Sequence, residues 1–414
     1  MSLFPSATDD HGNLLVAYAD TDQRDGFGRL RTVQPQQVFS GVHTFDGLPL
    51  LWHTDLTGAA TSTHDPNTSS VKLALTTASG DKAIRQTRER FPYRAGQTTL
   101  TKNTAVCAAQ QANLRQRFGL FDESDGLFLE LNDAADVRIV RRSYTSGGVV
   151  DDVEERANWI DKLDGTGASG VTIDLTKGML MPCDLQWQGV GRLRVGFDVG
   201  GKVVHVATFD GSALVVPTMR TASLPVRYEI ENTGVTAGAS ELMAICTDVT
   251  REGTPGTMGF SNHAGRKFSP AAMTTTLQSI VSVRLKAAYI RAALAPLAVH
   301  VLNTDTEPLF WQLLLNPTVT LATWVANGTD RATEKDLTVA TVTEDTGVLL
   351  GEGYVVGGGG GGSAPGAAGT DQIVSRIRAH ADFALANADE IVLAAKLESG
   401  AGNAYGSIDF VEIY

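Results

Sequence analysis

Short runs in which apolar and polar residues alternate recur along the chain, separated by clusters of Gly, Asp, Asn, Thr and Ser. VKLALTT (71–77), GLFLEL (126–131), DVRIVRRS (136–143), GRLRVGFDV (191–199) and KVVHVATF (202–209) carry the pattern. A period of two puts alternate side chains on opposite faces of an extended backbone, so these runs predict β-strands with one buried face. In DVRIVRRS, Val137 and Ile139 face one way and Arg138 the other; in GRLRVGFDV, Leu193, Val195, Phe197 and Val199 oppose Arg192, Arg194 and Asp198. Gly200-Gly201 then supplies a two-residue reversal that tolerates positive φ at both positions. KVVHVATF returns, with Val204, Val206 and Thr208 expected on one face. Asp125-Gly126 and Asp210-Gly211 mark further turns.

The pattern changes along the chain. Residues 1–70, with VQPQQVFSG and TSTHDPNTSS, are polar, turn-rich and weakly periodic, and predict an extended N-terminal arm with long loops. DKAIRQTRERFPY is ambiguous: Ile84, Arg88 and Phe91 suit a helix face, Pro92 stops a helix, and an extended chain is the preferred reading. Residues 71–233 predict a jelly-roll-like β-sandwich. Residues 234–414 predict a second β-rich domain with strands at SIVSVRLKA, LFWQLLLNP, TVTLATWVA, DLTVATVT, GVLLGEGYVV, DQIVSRIRAHADF, EIVLAAKLES and GSIDFVEIY. YIRAALAP continues a strand or turns helical. The tract GGGGGGSAPGAAGT (357–370) reads as a flexible loop within that domain, because the strands after it are too few for a core of their own.

With 43% hydrophobic residues among 414, the chain can bury sizeable cores. A net charge of −12 argues against general contact with nucleic acid or an anionic membrane. Cys107, Cys183 and Cys246 lie far apart and read as buried thiols, with neither a disulfide framework nor a thiolate metal site. No apolar window reaches the roughly 18 residues of a membrane-spanning helix. MSLFPSATDDHGN has no Sec-type signal pattern, so synthesis in the cytosol is expected.

Candidate chemistry is thin. Gly189-Val190-Gly191 in QGVGRLRVGF begins like a dinucleotide fingerprint, but Arg194 stands where the third glycine belongs, Gly196 comes too late, and a strand pattern follows instead of a helix. Asp161 and Asp164 in LDGTGASG lack the ligand order of a calcium loop and read as caps on their own backbone. Asp151, Asp152, Glu154, Glu155, Glu229 and Glu231 are available for a glycosidase-like pair, yet abundance does not identify one. Residues 151–155 read as a solvated acidic loop, and Glu229 and Glu231 as one charged strand face. His53, His64, His205, His263 and His300 form no metal-binding spacing, and His205 suits a surface or subunit contact. Trp52, Trp159, Trp187, Trp311 and Trp324 read as core residues rather than sugar-stacking platforms. No catalytic, cofactor-binding or metal residue is assigned, and no enzyme signature emerges.

The segment 80–233 resembles a family of virion structural proteins of tailed bacteriophages. The similarity is carried by GDKAIRQTRERFPYRAGQ, RFGLFDESDGLFLEL, RIVRRS, NWIDKLDGTGASGVTIDLTK, DLQWQGVGRLRVGFDVGGKVVHVATF and LPVRYEIENTG, in that order. Beyond 234 it thins to SIVSVRLK and LLLNPTV, and some relatives have polar or aromatic residues where Cys183 and Gln188 stand. The resemblance implies a non-enzymatic particle component in the tail or neck region, with other virion tail, neck or connector proteins as partners and no catalytic or metal residues to transfer. A symmetric homo-oligomer suits a β-rich protein with an arm and many polar loops. Its alternative is a receptor- or glycan-binding tail module, and a polysaccharide depolymerase ranks below both.

Overall fold

The computed structural model describes residues 35–253, 259–289, 291–321, 323–357 and 388–413, together with the backbone of strands at 7–8, 14–15 and 368–372. A two-stranded ribbon of β1 (Ala7–Thr8) and β2 (Leu14–Leu15) comes first. The first sandwich follows with β3 (Gln36–Val42), β4 (Trp52–Thr57), β5 (Thr61–Asp65), β6 (Ser70–Leu75), β7 (Lys82–Thr87), β8 (Thr98–Val106), β9 (Leu114–Phe121) and β10 (Gly126–Asn132). It continues with β11 (Asp136–Ser143), β12 (Val150–Glu155), β13 (Met179–Leu185), β14 (Leu193–Val199), β15 (Lys202–Phe209), β16 (Val226–Asn232) and β17 (Ser240–Glu252).

These strands form a seven-stranded sheet, β12-β11-β10-β9-β16-β7-β4, and an eight-stranded sheet, β15-β14-β13-β8-β17-β6-β5 with β3 beside β17. Every pairing is antiparallel, and β6, β7, β8 and β9 alternate between the sheets, which gives the jelly-roll-like winding. Inward residues of both sheets, among them Leu73, Phe118, Leu129, Met181, Val195, Tyr228 and Leu242, make one core. The Tyr228 ring stacks on Phe118, and its hydroxyl hydrogen-bonds Thr247 Oγ1 at 2.9 Å, so the polar end is satisfied within the apolar layer.

The second part comprises β18 (Phe260–Gly265), β19 (Ala271–Met273), β20 (Gln278–Leu285), β21 (Ala293–Asn303), β22 (Leu309–Leu315) and β23 (Val325–Ala326). Also in it are β24 (Thr333–Asp336), β25 (Val348–Val355), β26 (Ala368–Gln372), β27 (Ile391–Leu397) and β28 (Gly402–Ile413). They form a five-stranded and a six-stranded sheet around a separate core that includes Ile280, Leu294, Trp311, Leu393 and Phe410.

The β-class reading agrees with this architecture, and several boundaries differ from the sequence analysis. Residues 36–65, assigned there to the arm, are strands β3 to β5 of the first sandwich, and β17 extends that sandwich to Glu252, past 233. Their polar sequence hides them because β4 and β5 are edge strands with little buried surface. KAIRQT is strand β7; at YIRAALAP, Tyr289 ends a 3-10 turn that begins at Ala287, and β21 begins at Ala293. Among the described residues, TVTLATWVA and DLTVATVT do not form full strands: only β23 and β24 are regular there, and Val319 and Val342 meet in an isolated bridge. Residues 151–155 lie in strand β12 rather than in a loop. Most of the expected arm at 1–34, the centre of the glycine tract and most of DQIVSRIRAHADF fall outside the described residues.

In the β14–β15 hairpin, Gly200 and Gly201 have φ of 63° and 83°, as the two-residue reversal requires. The register shifts by one residue between Val195 and Gly196. That bulge changes which side chains of β15 face the core: Val206, Ala207 and Phe209 are buried, while Thr208, expected with Val204 and Val206, is exposed.

Candidate functional site

QGVG is a tight loop between strands. The Gly191 N–H donates to the Trp187 carbonyl, and a Cβ on Gly191 would lie 1.8 Å from the Gln186 carbonyl oxygen, so the glycine serves a close backbone approach. β14 follows directly, with no helix to meet a phosphate. In LDGTGASG, Asp161 accepts from the backbone N–H of Leu163 and Ser169, and Asp164 accepts from the backbone N–H and hydroxyl of Thr166. These carboxylates cap their own loop. Among the described residues, no group of three or more His, Cys, Asp or Glu side chains is placed to hold a metal ion.

The candidate carboxylates gather on or beside the seven-stranded sheet, most of them clamped by arginine. Asp151 takes a two-pronged contact from Arg142 at 2.8 Å on each oxygen, and Asp152 accepts from Arg141 at 2.9 Å. Glu155 lies 3.6 Å from Arg138, Glu231 is bonded to Arg115, and Glu229 lies within 3.6 Å of Arg117, Arg227 and Lys82. Burial pushes the Glu229 carboxyl up, but Lys82 and the arginines outweigh it and hold the group below its ordinary value. Glu154 differs: burial, then Asp152, pushes its carboxyl up. Beneath the charged layer, Phe121, Phe128 and Val140 form a small buried cluster, with Arg117, Arg142 and Arg227 over the phenyl rings at 5.3–5.5 Å. Tyr228 and Ile230 point the other way, into the core, as the alternation at Glu229 and Glu231 predicts.

A cleft of about 500 Å³ opens where β4 and β5, the edge strands of the two sheets, meet. Asp46, Gly47 and Pro49 from the loop after β3 line it with Trp52, His53, Thr54, Ser62, His64, Val71, Arg85 and Arg88. Arg85 alternates with Ala83 and Thr87 on the inward face of β7, so the strand's own period drives a guanidinium toward the space between the sheets. It is only 3% exposed.

Its neighbours are neutral acceptors. Nη1 donates to Thr54 Oγ1 at 3.3 Å, and Nη2 donates to His43 Nε2 at 3.0 Å and to the Gly47 carbonyl. Its Cζ sits 4.9 Å from the centre of the Trp52 ring, a cation–π contact. His43 donates from Nδ1 to the Ile245 carbonyl at 2.8 Å, which leaves Nε2 as the acceptor Arg85 needs. Burial pulls the His43 imidazolium down to about 4, with Arg85 and His64 adding to it against the Ile245 bond and Asp46, so the ring is neutral near pH 7. Burial likewise lowers Arg85 to about 10, against the fields of Tyr228 and Asp46. His64 Nε2 donates to the His43 carbonyl at 2.7 Å, tying β5 to the loop after β3.

Trp52 fits the core reading: it is 2% exposed and packs edge-on against Phe39. Trp159 and Trp311 are also buried. His53 and His64 line the cleft, whereas His300 pairs with Asp409 at 2.9 Å in the second sandwich. Arg85 was missed in the sequence analysis; the available signal was a charged residue at a core-facing position of AIRQT.

No family model and no curated protein matches this chain. Solved structures with partial likeness include a β-glucanase of Bacillus licheniformis, at 12% identity and a TM-score of 0.34, covering 53% of this chain and 98% of that one. A legume lectin-like domain from Entamoeba histolytica has 9% identity and a TM-score of 0.31, covering 54% and 100%. A glycoside hydrolase family protein from Mycobacterium thermorestibile has 10% identity and a TM-score of 0.38, covering 51% and 99%. Similarity at this level does not assign a ligand or an activity to this chain.

Proposed function

We propose that the chain is a non-enzymatic recognition module of a tailed-phage virion, and that it contacts a saccharide through the cleft at the β4–β5 edge. The observation that carries the saccharide reading is the cleft itself: a concave site of sugar size whose lining combines an indole, two arginines, two imidazoles and small hydroxyls. Sugars offer many hydroxyl donors and acceptors, and such a lining meets both kinds. The virion context rests on the ordered phrases between 80 and 233. Two of them meet in space, where Arg90 of RERFPY pairs with Asp122 of GLFDESDG at 2.8 Å.

The non-enzymatic reading is supported by the arginine clamps on Asp151, Asp152, Glu155, Glu229 and Glu231. A glycosidase acid must hold its proton near neutrality, which a guanidinium partner opposes. The experiment is a glycan array probed with the purified chain, coupled to competition against adsorption of phage particles to host cells. Binding together with reduced adsorption is expected, and an assembled protein that binds no glycan overturns the reading.

A second reading, a symmetric ring or neck subunit without host contact, is favoured by one surface. The loop Leu214-Val215-Val216 is exposed, with Val215 fully so, and Val190 is exposed on the QGVG loop, which Thr218 N–H joins through the Gly189 carbonyl. Neighbouring subunits commonly cover an apolar patch of this kind. Cross-linking and mass spectrometry of intact particles distinguish the readings: cross-links from 214–216 to tail, neck or sister subunits support the second, and absence of the chain from particles removes the virion context of both.

A further inference from the structure

The outer face of the six-stranded sheet carries an aromatic pair that the core does not use. On β22, Trp311 and Leu313 point into the core, so alternation turns Phe310 and Gln312 outward. It does the same for Lys396 on β27, between the core residues Ala395 and Leu397, and for Tyr354 on the edge strand β25, before the core residue Val355. Register then sets Tyr354, Phe310 and Lys396 side by side across three strands, with Glu352 beside Gln312 in the next row. The Phe310 and Tyr354 ring centres are 5.0 Å apart with their planes at 46°, and Tyr354 is 66% exposed. Lys396 Nζ lies 5.9 Å from the centre of the Phe310 ring and donates to Glu344 Oε1 at 2.7 Å. Gln312 Nε2 donates to Glu352 Oε2 at 3.1 Å, which orders both side chains and leaves Gln312 Oε1 and Glu352 Oε1 open to a ligand.

We propose that this surface is a second saccharide site, which takes a neutral glycan chain: Phe310 and Tyr354 stack on sugar rings, and Gln312, Glu352 and Lys396 bond their hydroxyls. It lies in the second sandwich and does not rest on the cleft reading. The negative face of an aromatic ring attracts the C–H groups on the flat side of a sugar, while an amide, a carboxylate and an ammonium supply both acceptors and donors around it. The charge balance selects a neutral ligand, because the carboxylates of Glu344 and Glu352 outnumber the one ammonium and repel phosphates and acidic sugars. A protein partner fits less well. Two aromatic side chains offer at most about 500 Å² of apolar surface, short of the roughly 800 Å² that each side of a stable protein pair covers. The remainder would bury Glu344, Glu352 and Lys396 away from water, which is costly.

The test is an array of neutral hexose and N-acetylhexosamine oligomers and of uronate-containing ones. It is probed over a concentration series with the full chain, with Ser62→Trp, which fills the cleft, and with Ser62→Trp combined with Tyr354→Ala. Neutral binding that persists with the cleft filled, and that Tyr354→Ala then weakens at least about tenfold, is the expected result. No neutral binding by Ser62→Trp, neutral binding undiminished by Tyr354→Ala in that background, or equal binding of uronate oligomers there overturns the inference. The cleft reading fails separately: if Ser62→Trp loses nothing that the wild type binds, the cleft is not a saccharide site and the second site stands. Self-association in sedimentation velocity that Tyr354→Ala abolishes identifies a second copy of the chain as the occupant and also overturns the inference. Far-ultraviolet circular dichroism checks the fold of each variant; if Ser62→Trp is unfolded, Tyr354→Ala and Phe310→Ala in the wild-type background decide by the same tenfold criterion.

Discussion

Replacing Asp122 by Asn tests whether a buried charge cluster ties the two sandwiches together. Asp122 sits in the β9–β10 turn and is 1% exposed. Its Oδ2 accepts from Arg90 Nη1 at 2.8 Å and from Arg291 Nε and Nη2 at 3.2 Å, and Arg291 belongs to the second part of the chain. Its Oδ1 accepts the backbone N–H of Ser124 and Asp125, contacts an asparagine oxygen can keep. The substitution therefore removes the charge and spares the turn. Burial pushes the carboxyl up, but Arg90 and Arg291 outweigh it and hold it at about 2, below its ordinary 3.8. That difference corresponds to about 2 kcal/mol in favour of the ionised folded state. Seen from the cation, a buried Arg90 without its counter-charge costs about 3–5 kcal/mol. The two figures describe one interaction from its two ends, and a loss of about 3 kcal/mol near pH 7 is expected. Because the folded carboxyl is depressed, this stabilisation is present above 3.8 and lost as pH falls toward 2, so the variant and wild type converge in acid. Urea unfolding followed by tryptophan fluorescence measures it. A gap below about 0.5 kcal/mol near pH 7, or one that persists unchanged at acid pH, refutes the reasoning.

Other outcomes follow from the same structure. Gly191→Ala forces a Cβ against the Gln186 carbonyl and is expected to cost more than about 2 kcal/mol in urea unfolding, whereas Gly200→Ala, with open space and φ of 63°, costs about 1 kcal/mol. Burial pushes the Cys107 and Cys183 thiols up to about 12, so a thiol reagent at mildly alkaline pH leaves both unlabelled until denaturant is added; rapid labelling of either in the native protein contradicts their placement. Incubation of the chain with host capsule or wall polysaccharide is expected to release no reducing ends, and release that disappears in Glu154→Gln contradicts the non-enzymatic reading.

The hairpin of β14 and β15 was legible because Gly200-Gly201 fixes the reversal chemically and Leu193, Val195 and Phe197 fix the buried face. The bulge opposite Gly196 was not, since alternation records which faces exist but not where one extra residue enters a ladder. β4 and β5 escaped notice because their hydrogen-bond partners, β7 and β6, supply the order that their own polar sequence does not encode. The cleft shared that fate. Arg85 reads as an ordinary polar residue unless Ala83 and Thr87 are known to face the core, and His43 reaches it from a segment taken for an arm. The charged layer was half legible: Glu229 and Glu231 were placed on one face of β16, but Arg115 and Arg117 reach them from the neighbouring strand β9, and Arg227 lies two residues before Glu229 on β16 itself.

The Trp52 indole resonance gives the most direct test of the cleft as a saccharide site. In a nitrogen-15 correlation spectrum of the full chain, assigned with Trp52→Phe, titration with oligosaccharides is expected to shift the Trp52 Nε1–H signal while those of Trp159 and Trp311, which do not line the cleft, stay in place. A Trp52 signal unmoved at saturating saccharide, or shifts confined to other tryptophans, contradicts the account.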